Sequence, residues 1–337
     1  MKFSSRCVMP GVIWALACCA VAPALADTAV SPITTEAEHT FWWGDFAALE
    51  KQNALLRQPG HITSDGSSEI ELFRTGLNRV LDAGQADREA YLRELEALTL
   101  QWAGEYPRSA LAHVLHAQVL KAHAWSYRGD GYSHEVPPQA WEDFQSYLQR
   151  AAKYLADHAD VALTDSYAYE ALVGIGMGLE WSPAQQRAIA EEGLKRNPED
   201  VGLYFRVVNT LLPKWGGNAK LLDQYIRQVA EDTKATYGTG MYARLYSYAA
   251  EAQYGHALFE ASAADWPTMK RSYEDMMTRY PDSPTRRNYY AYMACLAKDQ
   301  ETLRRLLEEL GPQVDASKWG PNPKRSLEGC QRLAAKA

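Results

Sequence analysis

Cysteine is scarce in this chain of 337 residues, and its distribution argues against a cysteine-bound metal. Three of the five cysteines lie within the first 26 residues. Only Cys295 and Cys330 remain, and they are too few and too far apart for a zinc or iron–sulfur pattern. In an oxidising compartment they could pair and join the C-terminal tail to the last helices, or they could stay two separate thiols.

An excess of positive charge is also lacking. The chain carries 35 Lys+Arg against 42 Asp+Glu, a formal charge of −7. Residues 1–26 hold two basic residues and no acidic one, so the remainder carries 33 against 42, a formal charge of −9. This balance argues against a nucleic-acid partner, which needs clustered cations, and against docking on anionic lipid.

Motifs for metal, cofactor or nucleophile chemistry are missing as well. The segment "GIGMG" at 174–178 lacks the last Gly of a dinucleotide fingerprint and reads as small residues that let helices approach closely. His113, His116 and His123 share one face of a predicted helix, but no carboxylate or Cys completes a ligand set, so they are interpreted as a polar face in a groove. The sequence therefore predicts no cofactor, no metal and no catalytic residue.

The only long hydrophobic run lies at the N-terminus. Lys2 and Arg6 precede an apolar stretch that ends in Ala24-Leu25-Ala26, the small-x-small pattern of a signal peptide. We predict cleavage after Ala26, export to the periplasm or the medium, and no membrane span in the mature chain. Lipidation of Cys19 after the "LACC" segment is a minor alternative.

Alternating β patterns are absent, and apolar residues recur at helical spacing instead. Three turns share a pattern in which an aromatic residue or Asn precedes Pro and a capping residue follows two positions later: "GEYPRSAL" with Ser109, "KRNPEDVGL" with Asp200 and "TRYPDSPTR" with Ser283. Two-helix units of roughly 34 to 50 residues predict an all-α fold, an α-solenoid of stacked antiparallel pairs of the tetratricopeptide kind, with about 12 helices.

The predicted organisation has four parts. A signal peptide covers 1–26 and a loose N-terminus covers 27–35. A helical-repeat domain follows at 36–310, where single helices over 36–57 and 69–82 precede the pairs. The predicted pairs are 87–105/109–126, 138–157/163–180, 183–196/199–212, 218–235/240–260 and 266–280/283–297. Residues 311–337 form an irregular tail that could hold a short helix.

Several segments resemble one bacterial family, the domain of unknown function 4034. They are "FWWGDFAALEKQNALL", "AWSYRGDGYSHEVPPQAWEDFQSYLQRAAKYL", "LLPKWGGN" and "GTGMYARLYSY", which together span about residues 40 to 300. The Trp-Gly-Gly turn and the Trp/Arg-Gly segment carry most of the likeness. The resemblance implies an all-helical, tetratricopeptide-like fold and no activity, cofactor or catalytic residue.

Tryptophan is the most informative residue type. Trp102 and Trp141 lie on apolar helix stripes and are predicted to be core. Four others, Trp125, Trp181, Trp215 and Trp266, lie at connectors that follow the second helix of a pair, which a solenoid would align along one edge. One interpretation is structural, with each Trp covering the apolar open end of a helix pair. The other is functional and suits Trp125 and Trp215 best.

Two of these connectors form the candidate binding site. Its residues are Trp125, Tyr127, Arg128 and Asp130 in one loop, and Lys214 and Trp215 in the other. Aromatic rings combined with cations suit an anionic ligand, a saccharide or a peptide. Helix spacing puts the two loops roughly 20 Å apart, which favours an extended partner.

The predicted function is therefore an exported binding or scaffold protein that acts through protein–protein interaction in the bacterial envelope, with a protein, peptide or glycan as its partner. The alternative is an enzyme that acts on an envelope polysaccharide or peptidoglycan through two carboxylates, which the fold would bring together. The sequence leaves the ligand and the oligomeric state open.

Overall fold

The computed structural model describes residues 31–82, 87–129 and 136–336. The predicted signal peptide, the Cys19 alternative and the first four residues of the predicted loose N-terminus, 27–30, lie outside these ranges. The described part is all-helical, without a β-strand, so the predicted fold class is confirmed at that level. No helix in these ranges is long and apolar enough to cross a membrane.

The helices follow in chain order with short connections. They are α1 (Pro32–Trp42), α2 (Phe46–Leu56), α3 (Glu69–Asp82), α4 (Arg88–Glu105), α5 (Ala110–Arg128), α6 (Pro138–Asp157), α7 (Ala159–Ala162), α8 (Ser166–Gly178), α9 (Pro183–Arg196), α10 (Val201–Thr210), α11 (Ala219–Asp232), α12 (Lys234–Tyr237), α13 (Gly240–Ala249), α14 (Leu258–Ala261), α15 (Trp266–Arg279), α16 (Pro284–Leu296), α17 (Gln300–Leu310) and α18 (Pro323–Ala334).

The capping residues predicted for the three Pro turns start their helices as expected. Ser109 accepts a hydrogen bond from the Ala112 amide, Asp200 from that of Leu203 and Ser283 from that of Arg286. A side-chain oxygen at this position pairs a backbone N–H that has no partner within the helix. The local signals therefore fix where α5, α10 and α16 begin.

Four boundaries differ from the prediction. The predicted helix 36–57 is two helices, because the chain turns at Gly44 with φ +70°. Helix α1 already begins at Pro32, inside the segment predicted to be loose. A π-helical turn at Ala250–Tyr254 interrupts the predicted helix 240–260, and the tail contains the 12-residue helix α18. The described ranges hold fifteen helices of ten or more residues, so a count of about twelve is not confirmed.

Helices that are adjacent in sequence pack against each other, as α4 does on α5, α5 on α6, α8 on α9 and α16 on α17. The buried apolar side chains form two clusters, one running from α1 to α8 and the other from α8 to α18. Helix α8 contributes to both clusters, so it joins the two halves. This position puts the C-terminal end of α8 at the centre of the candidate site.

Residues 57–74 make contacts that a simple chain of neighbouring units would not. Arg57 donates to the carbonyl of Thr164, and Arg74 on α3 donates to Glu170 on α8 and to Asp200, the capping residue of α10. Farther along, Arg286 on α16 donates to the carbonyls of Asp65 and Gly66, about 220 residues away in the chain. In a solenoid each unit contacts only its neighbours. This segment instead lies across several later helices.

The predicted pairing of Cys295 and Cys330 is present as a disulfide, with the two Cα atoms 5.6 Å apart. It links α16 to α18, and α17 lies between the two cysteines in sequence. The C-terminal helix is thereby joined covalently to the helical body.

Candidate ligand-binding site

Four tryptophans from four different parts of the chain line one cavity of about 770 Å³. Trp125 lies in the last turn of α5 and Trp141 in the first turn of α6. Trp181 follows α8, and Trp215 belongs to a 3₁₀ turn after α10. All four side chains are half-buried, so each keeps part of its ring available to a ligand.

The rings pack mostly edge to face. Trp125 and Trp141 each meet Phe144, with ring centroids 5.0 and 5.5 Å apart. The rings of Trp125 and Trp215 are 6.4 Å apart and almost perpendicular. The guanidinium of Arg128 lies 5.3 Å from the Trp125 ring centroid and 5.8 Å from that of Trp141, a cation–π arrangement. The cavity thus combines aromatic faces with a cation held against them.

The expected separation of roughly 20 Å does not hold for the tryptophans of the two loops. The ring centroid of Trp125, on α5, lies 6.4 Å from that of Trp215, on the turn after α10. Helices α5 and α10 both pack on α8, which brings the two connectors together. The two predicted loops therefore form one compact site rather than two points along an edge.

Glycines on α8 make room for this aromatic cluster. A Cβ at Gly176 would lie 2.4 Å from a carbon of the Trp181 ring, and one at Gly178 would lie 2.4 Å from the Leu148 side chain. The prediction that "GIGMG" allows close approach is correct for Gly178, which meets α6. At Gly176 the close neighbour is an indole of the cavity instead.

Substituting Gly176 by Ala is expected to push Trp181 out of place and destabilise the fold by about 1–3 kcal/mol, the usual cost of overpacking. The measurement is urea unfolding together with the tryptophan fluorescence spectrum. Gly104→Ala is the matched control, because it lies on α4 with no atom near its Cβ position. The control is expected to be neutral or slightly stabilising. Equal stability of both variants would contradict this account of Gly176.

The turn that carries Trp215 has a fixed geometry. Gly216 has φ +84°, and a Cβ at Gly217 would lie 1.9 Å from the Leu211 carbonyl oxygen. The Lys214 amide donates to the Gln253 side chain at 3.0 Å, and its ammonium donates to the Ala252 carbonyl at 2.8 Å. Burial lowers the pKa of Lys214. These contacts anchor the turn on the π-helical segment and hold Trp215 at the cavity.

Two polar atoms in residues of the cavity wall lack a partner among the described residues. They are Oε1 of Gln186 and the indole N–H of Trp215, and both are buried. The side-chain N–H₂ group of Gln186 donates to the Trp181 carbonyl at 2.7 Å, and this bond fixes the side chain beside the cavity. A buried donor or acceptor without a partner costs roughly 1–3 kcal/mol, so these atoms favour a polar ligand or water.

The structure brings together four of the six predicted site residues, namely Trp125, Arg128, Lys214 and Trp215. Tyr127 points elsewhere: its hydroxyl donates to Glu89 at 2.8 Å, and its ring stacks on His123. Asp130 lies outside the described residues.

Among the other tryptophans, Trp266 does not join the cavity. Its indole N–H donates to Asp299 at 3.1 Å, and its ring packs on Phe259. Trp102 is fully buried, as predicted, whereas Trp141 was predicted to be core and instead lines the cavity. The sequence feature that could have indicated this is the position of Trp141 in the first turn of α6, where an aromatic side chain reaches past the end of the helix.

The interpretation of the three histidines as a polar groove face is wrong, because all three are buried between helices. His113 pairs with the Tyr154 hydroxyl and His116 with that of Thr99, each at 2.9 Å. His123 lies between two carboxylates, those of Glu89 and Glu96. Burial lowers the pKa of His116 to about 4, whereas at His123 the opposing effect of burial is outweighed by the two carboxylates, which raise its pKa.

A second polar cluster surrounds Arg74, which is almost fully buried. One guanidinium nitrogen donates to Glu170 at 2.7 Å, to Asp200 at 2.8 Å and to Glu71 at 3.1 Å. The other nitrogen donates to Asp165 at 3.0 Å. Glu71 lies on α3 and Glu170 on α8, whereas Asp165 and Asp200 are the capping residues before α8 and α10. No spacing along the sequence indicates that these four carboxylates meet.

Protonation of this cluster differs from that of ordinary carboxylates. Burial, followed by the charge of Asp200, raises the pKa of Glu71 to about 7. Burial and the charge of Glu71 raise the pKa of Glu170 well above its usual value. Oxygens of Glu71, Glu170 and Asp200 lie within 4.8 Å of one another, a spacing that suits a metal ion. Arg74 already donates to all three, so a guanidinium takes the position that a cation would fill.

No family model matches the chain, and no curated protein or solved structure matches it. The resemblance to the domain of unknown function 4034 stays a prediction.

Proposed function

We propose that this protein is an exported helical-repeat binding protein whose ligand is a saccharide held in the tryptophan cavity. The observation that carries the proposal is the convergence of Trp125, Trp141, Trp181 and Trp215 on one cavity of about 770 Å³. This volume falls within the roughly 300–1,000 Å³ of typical small-molecule sites. The compact site favours one ligand over the extended protein partner expected from the sequence.

A saccharide suits the chemistry of the walls. Its rings have apolar C–H faces that can pack on indoles, and its hydroxyls both donate and accept hydrogen bonds. The Gln186 oxygen and the Trp215 N–H, which lack a partner among the described residues, place one acceptor and one donor in the residues of the cavity wall. A purely apolar ligand would leave both atoms unpaired. Arg128 adds a guanidinium at the wall, whereas the Ser182 hydroxyl is already hydrogen-bonded to Gln185.

The finer architecture and the location belong to the same proposal. Packing between helices adjacent in sequence supports an α-solenoid of the tetratricopeptide kind, and so does the resemblance to the domain of unknown function 4034. The Cys295–Cys330 disulfide supports export to an oxidising compartment, as does the N-terminal pattern that ends at Ala26.

Binding is favoured over catalysis by the position of the carboxylates. A glycosidase needs two of them on opposite sides of the bond that it cleaves. Among the described residues that line the tryptophan cavity, Glu180 is the only carboxylate. Glu71 and Glu170, whose pKa values are raised, are hydrogen-bonded to Arg74 and lie outside the cavity wall.

The test is a binding titration of the mature protein against neutral and acidic oligosaccharides and a peptide pool. Trp215→Ala is expected to weaken saccharide binding by about 2 kcal/mol, or roughly thirtyfold, because it removes one aromatic wall. Trp43→Ala is the control, since Trp43 is 81% exposed and does not line the cavity. Unchanged affinity in Trp215→Ala, or binding of peptides in preference to saccharides, would refute the proposal.

A further inference from the structure

A second cavity, of about 520 Å³, adjoins the tryptophan cavity and shares Trp125 and Gly129 with it. Its other walls come from α3, α4, α5 and α10, and its lining is more polar. Trp125 and Gly129 border both spaces, so the second cavity begins at residues against which a ligand of the first would rest. The second cavity is therefore a direct neighbour of the proposed saccharide site.

Two cationic side chains in this second cavity are short of negative partners. The ammonium of half-buried Lys121 donates to the Gln118 side chain, and among the described residues no carboxylate lies within 4.0 Å of it. In the described part of the chain Arg206 has a single, loose ion pair, with its Nε 3.9 Å from a Glu170 oxygen. Removing cations from water without a close counter-ion is costly, and native proteins usually pair them. Arg74, by contrast, has four carboxylates.

Asn78 adds hydrogen-bond donors to the same cavity. Its side-chain oxygen accepts from the Tyr167 hydroxyl at 2.9 Å. This bond leaves the N–H₂ group of Asn78 to face other partners, and Asn78 lines the cavity. A cavity with an ammonium, a guanidinium and an amide N–H₂ group, contributed by α5, α10 and α3, has the donor set that carboxylate and phosphate oxygens accept.

We infer that Lys121 and Arg206 bind an anionic group, a carboxylate or a phosphate, on the ligand whose sugar rings rest on the tryptophans. This inference rests on the proposed function, and it narrows the ligand class from saccharides in general to acidic saccharides. A neutral saccharide would leave Lys121 without a close counter-ion and Arg206 with its loose pair to Glu170, whereas an anionic group would pair with both cations. An acidic saccharide therefore gains ion pairs with Lys121 and Arg206 in the second cavity, and a neutral saccharide does not.

The charges around Lys121 set the size and the pH dependence of the effect. Burial, followed by the positive charge of Arg206, lowers the pKa of Lys121 to about 7, against the smaller opposite effects of Glu170 and Asp82. Arg88 also lines the cavity. An anion binds best when Lys121 is protonated, so its affinity is expected to fall as the pH rises from 6 to 8.5. The carboxylates of Asp82 and Glu170 repel an incoming anion. The acidic saccharide is therefore expected to bind only about tenfold more tightly than the neutral one, a difference of 1.4 kcal/mol.

The experiment compares three probes by calorimetry at pH 6 and pH 8.5. They are a neutral tetramer of N-acetylglucosamine, the tetramer in which it alternates with N-acetylmuramic acid and so carries carboxylates, and inorganic phosphate. The variants are Lys121→Met, Lys121→Arg and Trp215→Ala, and Lys153→Met serves as the control because the Lys153 side chain is 75% exposed. Thermal unfolding of each variant confirms that it folds.

We expect the carboxylated tetramer to bind about ten times more tightly than the neutral one at pH 6. Lys121→Met should reduce its affinity to that of the neutral tetramer and leave the neutral tetramer unaffected. Lys121→Arg should keep the preference at both pH values, which a purely structural role of Lys121 would not produce. Trp215→Ala should weaken both tetramers.

The two proposals fail in different ways. Equal binding of both tetramers, or a preference that survives in Lys121→Met, overturns the anion site and leaves the saccharide proposal standing. Phosphate binding that needs Lys121, with no binding of either tetramer, supports the anion site and overturns the saccharide proposal. If none of the probes binds, both proposals fall.

Discussion

Replacing Arg74 by Met is expected to lower the free energy of unfolding by roughly 3–5 kcal/mol at pH 8. The substitution removes the cation that contacts all four carboxylates, those of Glu71, Asp165, Glu170 and Asp200. Asp165 keeps its contact with Arg57, and Glu170 keeps its loose pair with Arg206, but the buried carboxylates lose the guanidinium that lies between them. Losing one partner of a buried ion cluster is costlier than losing the whole cluster, because the remaining charges stay buried without compensation. Urea unfolding at pH 8 measures the effect.

The loss is expected to be smaller at pH 5. The folded-state pKa of Glu71, about 7, lies above its unfolded value of about 4.3. A carboxyl with a raised folded pKa contributes stability that is fully present below the unfolded pKa and is lost as the pH rises through the folded pKa. Between about pH 4.3 and 7 the cluster therefore takes up protons as the pH falls, and protonated carboxyls repel one another less. Glu170, whose pKa is also raised, acts in the same direction.

The matched control is Arg79→Met on the same helix. Arg79 forms an exposed ion pair with Glu38 at 2.7 Å, and its side chain is 47% exposed. Exposed pairs contribute about 0–1 kcal/mol, so this variant should stay close to the parent at both pH values. A loss in Arg74→Met below 1 kcal/mol at pH 8, or a loss of equal size at pH 5, would show that the cluster is not held together in this way.

The helices were predictable from sequence because their signals are local. Ser109, Asp200 and Ser283 start helices through bonds to amides three residues ahead, and the apolar stripes report which faces are buried. The division of 36–57 was missed because a single Gly44 with positive φ is enough to end a helix. The crossing of residues 57–74 over later helices has no local signal at all.

The candidate site was predictable only in part for the same reason. Trp125 and Trp215 stood out as aromatic residues at connectors, and both line the cavity. Their meeting depends on how α5 and α10 pack on α8, which spacing along the chain does not encode. Gln186 and Lys121 were missed because a polar residue on a predicted helix reads as a solvated face until the tertiary packing is known.

Removing the disulfide is the other change with a large expected effect. In the chain-entropy model, a bridge across a sequence separation of 35 contributes about 4 kcal/mol. The Cys295→Ala/Cys330→Ala double variant should therefore lose several kcal/mol in the free energy of unfolding under oxidising conditions. Ala avoids placing a polar hydroxyl at Cys330, which is 3% exposed. Adding a reducing agent should lower the free energy of unfolding of the parent to that of the double variant, and it should leave the value for the variant unchanged.

The loss should be global rather than a release of the tail, because other contacts hold the C-terminal segment. Trp319 is fully buried, and its indole N–H donates to Asn288 on α16 at 3.0 Å. Helix α18 also packs on α16 and α17. Limited proteolysis below the unfolding transition should leave residues 311–336 intact in the double variant and cut them in Trp319→Ala. Early cleavage in the disulfide variant alone would mean that the bridge, not Trp319, keeps α18 docked.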